Sequence, residues 1–237
     1  MIRARTREDG FTISELLIAT AIMLGLMATI VGLTNPAQGM FDAQLELSDM
    51  QQRLRIGVDA IGKDLRMAAV PVMPYRVGRR GSDPGIGIFY RDDTISLVSV
   101  PWEGEAIRSH TYYLRSDAAT NTFQLRHYDG SETDLPVVDH VVRLRFEYFG
   151  GDGMPIEPSI LQDGPWYPNE ADANRFDADL LTIRRVRVTL RVQAARADLR
   201  GPAGVLFLHG GTAASGVRYL PDREIRFDIS PRNLNLQ

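Results

Sequence analysis

One carboxylate at the edge of an apolar run, four histidines and one acid-rich segment are the residues of this 237-residue chain whose types suit chemistry. Glu15 directly precedes residues 16–33, eighteen positions without a charge, and ends the stretch Gly10-Phe11-Thr12-Ile13-Ser14-Glu15. An ionised carboxylate at such a place needs water or a cationic partner, because lipid solvates it poorly. His110, His127, His140 and His209 are scattered, with no His-x-x-x-His or comparable ligand spacing, so no metal or catalytic role is expected of them. Residues 168–179 read PNEADANRFDAD, where Glu170, Asp172 and Asn174 alternate before Asp177 and Asp179. Calcium takes several converging oxygens, but the Gly and closing Glu of an EF-hand are missing here, and a solvated loop competes with that reading. The serines lack a nucleophile-elbow pattern. Gly201-Pro202-Ala203-Gly204 and Gly210-Gly211 match no phosphate loop and read as turns. No catalytic, cofactor-binding or metal residue is expected, and no enzyme activity.

Charge narrows the partners. Thirty acidic against twenty-seven basic residues leave a net charge of −3 and a pI near 5.8. Bulk charge therefore favours no nucleic-acid partner. A local basic face is conceivable only from Arg76, Arg79 and Arg80 with the arginines at 184, 185, 187 and 191. There is no cysteine, which excludes disulfides, thiolate metal sites and a cysteine nucleophile.

The element that carries Glu15 is long enough to matter. Eighteen helical residues span about 27 Å, close to the thickness of a hydrocarbon core. Arg3, Arg5 and Arg7 lie on the near side, partly offset by Glu8 and Asp9, which predicts a cytoplasmic N-terminus and a translocated bulk. Three readings compete. A cleaved secretory signal has small residues in Ala37-Gln38-Gly39, but its apolar core is usually shorter and does not begin with a carboxylate. A plain membrane anchor is the second.

The third is a resemblance. The stretch from Gly10 to Ala19, GFTISELLIA, resembles the start of type IV prepilins and pseudopilins: a short charged leader ending in Gly, an aromatic residue, and Glu four positions further. The resemblance implies that a prepilin peptidase cuts between Gly10 and Phe11 and methylates the new amine of Phe11. It also implies that Glu15 is the assembly carboxylate, meeting the Phe11 amine of a neighbouring chain. Such a pair offsets two desolvation costs only when chains are staggered correctly, so it would set register. The bland alternative is that Glu15 snorkels at the membrane edge. Many pilins carry a Pro part-way along this helix, whereas here Gly32 stands near that location and Pro36 follows. The implied partners are other pilins or pseudopilins, the prepilin peptidase and an inner-membrane platform. The implied location is a single-pass inner-membrane protein with a periplasmic domain, later part of a pilus or pseudopilus, at its tip included.

Beyond Pro36 the pattern becomes amphipathic. Leu47, Met50, Leu54, Val58, Ile61, Leu65 and Ala68 recur at steps of three or four and predict a helix over 40–69, with Asp49 set to pair with Arg53. Val70-Pro71 and Pro74 end it. Residues 75–85 read as a connection. Alternating runs then predict strands at 87–90, 94–100, 108–115, 122–128, 140–149, 184–192 and 223–229, with a turn at Asp129-Gly130. The long connection 150–179 holds Trp166 and Tyr167, either exposed for a partner or buried as a plug. One helix on an antiparallel sheet is an α+β fold of pilin-like layout. The expected division is a leader 1–10, an assembly helix 11–39, and a globular part 40–237 whose β-rich portion is 86–237. The segments MQQRLRIGVDAIGKDLRMAA and EIRFDISPRNLNL resemble W-type minor pilins and J-type pseudopilins of type II secretion, and both remain open. A domain this large suits a priming or capping subunit. The reading from a different class is a signal-anchored extracytoplasmic binding domain or enzyme.

Overall fold

The apolar period of residues 47–68 becomes the C-terminal part of one long helix. In the computed structural model the described residues are 11–76, 89–99, 108–118, 122–130, 133–171, 175–200 and 220–231. Helix α1 runs Ile13–Met67, and its backbone stays helical through Gly32, Pro36 and Gly39. The chain forms two units, Met1–Leu45 and Glu46–Gln237, so α1 contributes to both. Its end at Met67 follows from chemistry downstream: Pro71 disfavours helical geometry at the residue before it.

In the second unit seven antiparallel strands form one sheet in the order β1-β2-β3-β4-β5-β8-β9. They are β1 Ala69–Met73, β2 Ile95–Ser99, β3 Arg108–Asp117, β4 Thr122–Tyr128, β5 Asp134–Phe149, β8 Arg185–Val192 and β9 Arg223–Ile229. Between β5 and β8 the chain makes an excursion containing a small ribbon, β6 Trp166–Tyr167 with β7 Phe176–Asp177, and a 3-10 turn, Ala178–Thr182. The sheet is thus a meander, interrupted between β5 and β8 by that excursion.

Five of the seven strands match the expected runs, because alternation is a direct imprint of one covered and one wet face. Strand β1 was not expected: its Pro71 reads as a terminator. It is tolerated because β1 is an edge strand paired only with β2, so no ladder amide is missed on the open side. Phe89 and Tyr90 are not in a strand, which corrects the expected short strand there; residues 87 and 88 lie outside the described residues. So do most of the connection 75–85, the glycine-rich 201–204 and 210–211, and His209.

Strand β5 begins six residues before the expected start. Its first half pairs with β4 and its second half with β8. The exchange occurs around His140, whose φ of 56° is left-handed and falls at an irregularity of the β4–β5 ladder, while the β5–β8 ladder is irregular between Val141 and Arg143. Pro136 sits in the half with one neighbour, where its missing N–H costs nothing. The β4–β5 turn closes as the Asp129-Gly130 signal predicts: Gly130 has φ 83°, and Thr133 N–H donates to Asp129 Oδ1 at 3.2 Å.

In the second unit α1 seats Met50, Leu54, Ile61 and Leu65 in the core together with Leu125, Val138, Val188 and Leu190. Gly57 is the point of closest approach: a Cβ there would lie 2.6 Å from Leu190 Cδ2 and 3.2 Å from Val138 Cγ2. The predicted Asp49–Arg53 pair forms, and Arg53 also bonds Glu46 at 3.0 Å and the Gln193 carbonyl at 3.2 Å. Glu46, itself buried, accepts from the Ala195 amide. This network ties the helix to the end of β8.

Candidate functional site: the N-terminal segment of α1

The first turn of α1 must satisfy amide groups that have no helical partner. Thr12 and Glu15 do so reciprocally. Glu15 N–H donates to Thr12 Oγ1 at 3.3 Å, while Thr12 N–H and Thr12 Oγ1 donate to Glu15 Oε2 at 2.9 and 2.8 Å. This is a capping box, whose sequence signature is Thr-x-x-Glu before an apolar run. Both donations to the carboxylate fall on Oε2. A carboxylate offers about four lone-pair sites, so the cap leaves it able to accept from another cation.

Behind this cap every described side chain from Phe11 to Val31 is exposed, and Phe11 is 91% exposed. The stretch Ile13–Val31 has a mean hydropathy of 2.0, is long and apolar enough to cross a membrane, and buries nothing against its own chain. A helix apolar on all sides belongs inside lipid or among other helices. Gly10, the other half of the expected cleavage junction, lies outside the described residues, as do the leader arginines.

The remaining candidates fare differently. In the arginine run of β8, Arg187 makes a two-pronged pair with Asp228 at 2.7 and 3.0 Å, Arg185 reaches the same carboxylate at 3.3 Å, and Arg191 pairs with Asp222 at 2.8 Å. The hydrogen bond from Arg187 holds the Asp228 carboxyl below its ordinary range. Arg184 donates to the Leu181 carbonyl, and Arg76 lies 3.5 Å from the centre of the Tyr113 ring. The conceivable basic face is therefore largely neutralised by β9 and the turn before it; Arg79 and Arg80 lie outside the described residues.

In the acid-rich segment, Asp177 is buried and accepts from Gly164 N–H at 2.7 Å and Asp179 N–H at 2.9 Å. It caps the 3-10 turn and is committed to backbone amides. Asp172 and Asn174 lie outside the described residues. Trp166 is half-buried beneath the Arg175 guanidinium, whereas Tyr167 is exposed beside Phe176, so the two aromatics divide between the two expected roles.

The histidines hold what sequence spacing missed. Strand register brings His110 and His127 onto one face, His127 facing Tyr112 across the β3–β4 pair and His110 two residues away on β3. Their rings are nearly parallel, with His110 Nδ1 2.9 Å from His127 Nε2. Asp64, one turn before the end of α1, points Oδ2 at both, 3.8 and 3.5 Å away. Tyr112 donates to that same oxygen at 2.7 Å. Burial pushes His127 below the ordinary imidazole value, against the opposing pull of Asp64. Among the described residues this is the one grouping of three metal-capable side chains.

No protein-family model and no curated protein matches the chain. Among solved structures, it is similar to the type IV-like pilin TTHA1219 from Thermus thermophilus. The likeness covers 78% of this chain and 96% of that one, at 13% identity and a TM-score of 0.40. At that level it carries no argument about function.

Proposed function

We propose that this chain is a pilin-like assembly subunit of the minor type, inserted with its N-terminus in the cytoplasm and cut by a prepilin peptidase between Gly10 and Phe11. The observation that carries the reading is the N-terminal segment of α1. It is apolar on every side, buries nothing within its own chain, and begins with a capped carboxylate one turn from the proposed new terminus. Cutting there frees a cation at Phe11. Glu15 of one chain and the Phe11 amine of its neighbour then neutralise each other in a low-dielectric stack, which rewards one stagger over the rest. The segment 11–39 supplies packing in the filament, and the sheet domain supplies the choice of neighbour. As a minor subunit the chain serves the initiation or capping of a type IV pilus or a type II secretion pseudopilus, with other pilins or pseudopilins and the inner-membrane platform as partners.

Mass spectrometry of the mature N-terminus tests the reading. A chain beginning at methylated Phe11 supports it. A start at Met40, or an intact Met1, overturns it in favour of a signal-directed or signal-anchored extracytoplasmic domain.

A further inference from the structure

We propose that Asp64, His110 and His127 form a binding site for a divalent transition-metal ion, with zinc as its natural size and charge, that fastens the β3–β4 hairpin to α1. The three ligand atoms already converge from three elements: Asp64 Oδ2 from the helix, His110 Nδ1 from β3 and His127 Nε2 from β4. Zinc bonds nitrogen and oxygen ligands at about 2.0–2.2 Å in a tetrahedral shell, which places ligand atoms about 3.3 Å apart. The observed edges of 2.9, 3.5 and 3.8 Å bracket that spacing.

The electrostatics point the same way. In a neutral imidazole pair one proton at most lies between the two facing nitrogens, and the other nitrogen presents a lone pair. The carboxylate oxygen faces both at distances too long for ordinary hydrogen bonds. With Tyr112 donating to Oδ2, the two facing nitrogens and this oxygen still lie close enough together for one small cation to draw on all three. Tyr112 donates to the same Oδ2 at 2.7 Å, the kind of outer support that orients a metal-bound carboxylate. Two imidazoles and one carboxylate suit zinc and its neighbours, whereas calcium and magnesium prefer all-oxygen shells. The three side chains keep 12–23% of their surface exposed, so an ion can enter and solvent can fill the fourth position. In a chain with no cysteine, such a clip takes the stapling role that a disulfide plays elsewhere. The proposal is independent of whether the chain assembles into a filament.

The test uses the full-length chain purified in detergent and stripped with a chelator. Calorimetric titration with zinc chloride near neutral pH is expected to show one ion per chain, and thermal unfolding to show a saturable rise in Tm. Asp64→Asn and His127→Gln are each expected to weaken binding at least tenfold, and Tyr112→Phe by about 10–100-fold. Cobalt in place of zinc is expected to give the visible bands of a tetrahedral site. Absence of a stoichiometric zinc titration in the wild-type chain overturns the proposal, as does an affinity unchanged in all three variants. Should Asp64→Asn fail to fold by circular dichroism, Tyr112→Phe, which keeps all three ligands, and the cobalt spectrum of the wild type still decide between the outcomes.

Discussion

Glu15 does two separable jobs in this reading, one neutral and one charged. Capping needs an acceptor at the third helical position, which Gln also provides; pairing with an amine needs a negative charge. Glu15→Gln is therefore expected to keep the first turn of α1 yet fall out of the assembly, whereas Thr12→Ala loses about 0.5–2 kcal/mol of helix stability and still assembles. Co-purification with the neighbouring subunits separates the two. Equal recovery of Glu15→Gln and wild type would remove the register role. Asp177 is an acid of the opposite kind, buried and spent on two backbone amides. Asp177→Ala leaves both donors unsatisfied, at about 2–4 kcal/mol in all. That corresponds to a fall in Tm of about 5–15 °C in a thermal melt.

Helix α1 meets the sheet through a glycine, and the two glycines of its C-terminal part make a clean contrast. A Cβ at Gly57 would press on Leu190 and Val138, both in the core, while a Cβ at Gly62 would make ordinary contact with Ile229 at 3.5 Å. Alanine gains about 1 kcal/mol over glycine in a helix interior, and overpacking a core costs about 1–3 kcal/mol. Gly62→Ala is expected to raise the urea midpoint and Gly57→Ala to lower it. Identical shifts at the two sites would mean that the helix does not approach the sheet at Gly57. Across β8 and β9, Arg185 and Arg187 on one strand meet Asp228 on the next.

For the molecule as a whole, acid should loosen the fold. Burial, with the Arg53 and Arg200 guanidinium groups nearby, depresses the His140 imidazole below its ordinary 6.5. The unfolded chain then binds that proton more readily than the folded one, so stability is full above about pH 6.5 and falls as pH drops through the lowered value. Tm is expected to be lower near pH 5.5 than at pH 7.5. His140→Asn, which tolerates left-handed backbone, should narrow the gap. A gap unchanged by the substitution would assign the acid sensitivity elsewhere. Because the entire seven-stranded sheet lies in the second unit, a chain starting at residue 40 is expected to fold without detergent and give a sheet-rich circular dichroism spectrum. Much of this architecture was readable from the residues alone. Alternation, helical period, the Asp-Gly turn and the apolar run are local imprints of solvent on each element. What needed the tertiary structure is whatever depends on register between distant segments. Pro71 is acceptable only because β1 turned out to be an edge. The arginines of β8 look basic until Asp222 and Asp228 fall opposite them. Asp64, His110 and His127 have no spacing in common, and they meet because a helix crosses a hairpin, which no one-dimensional pattern records.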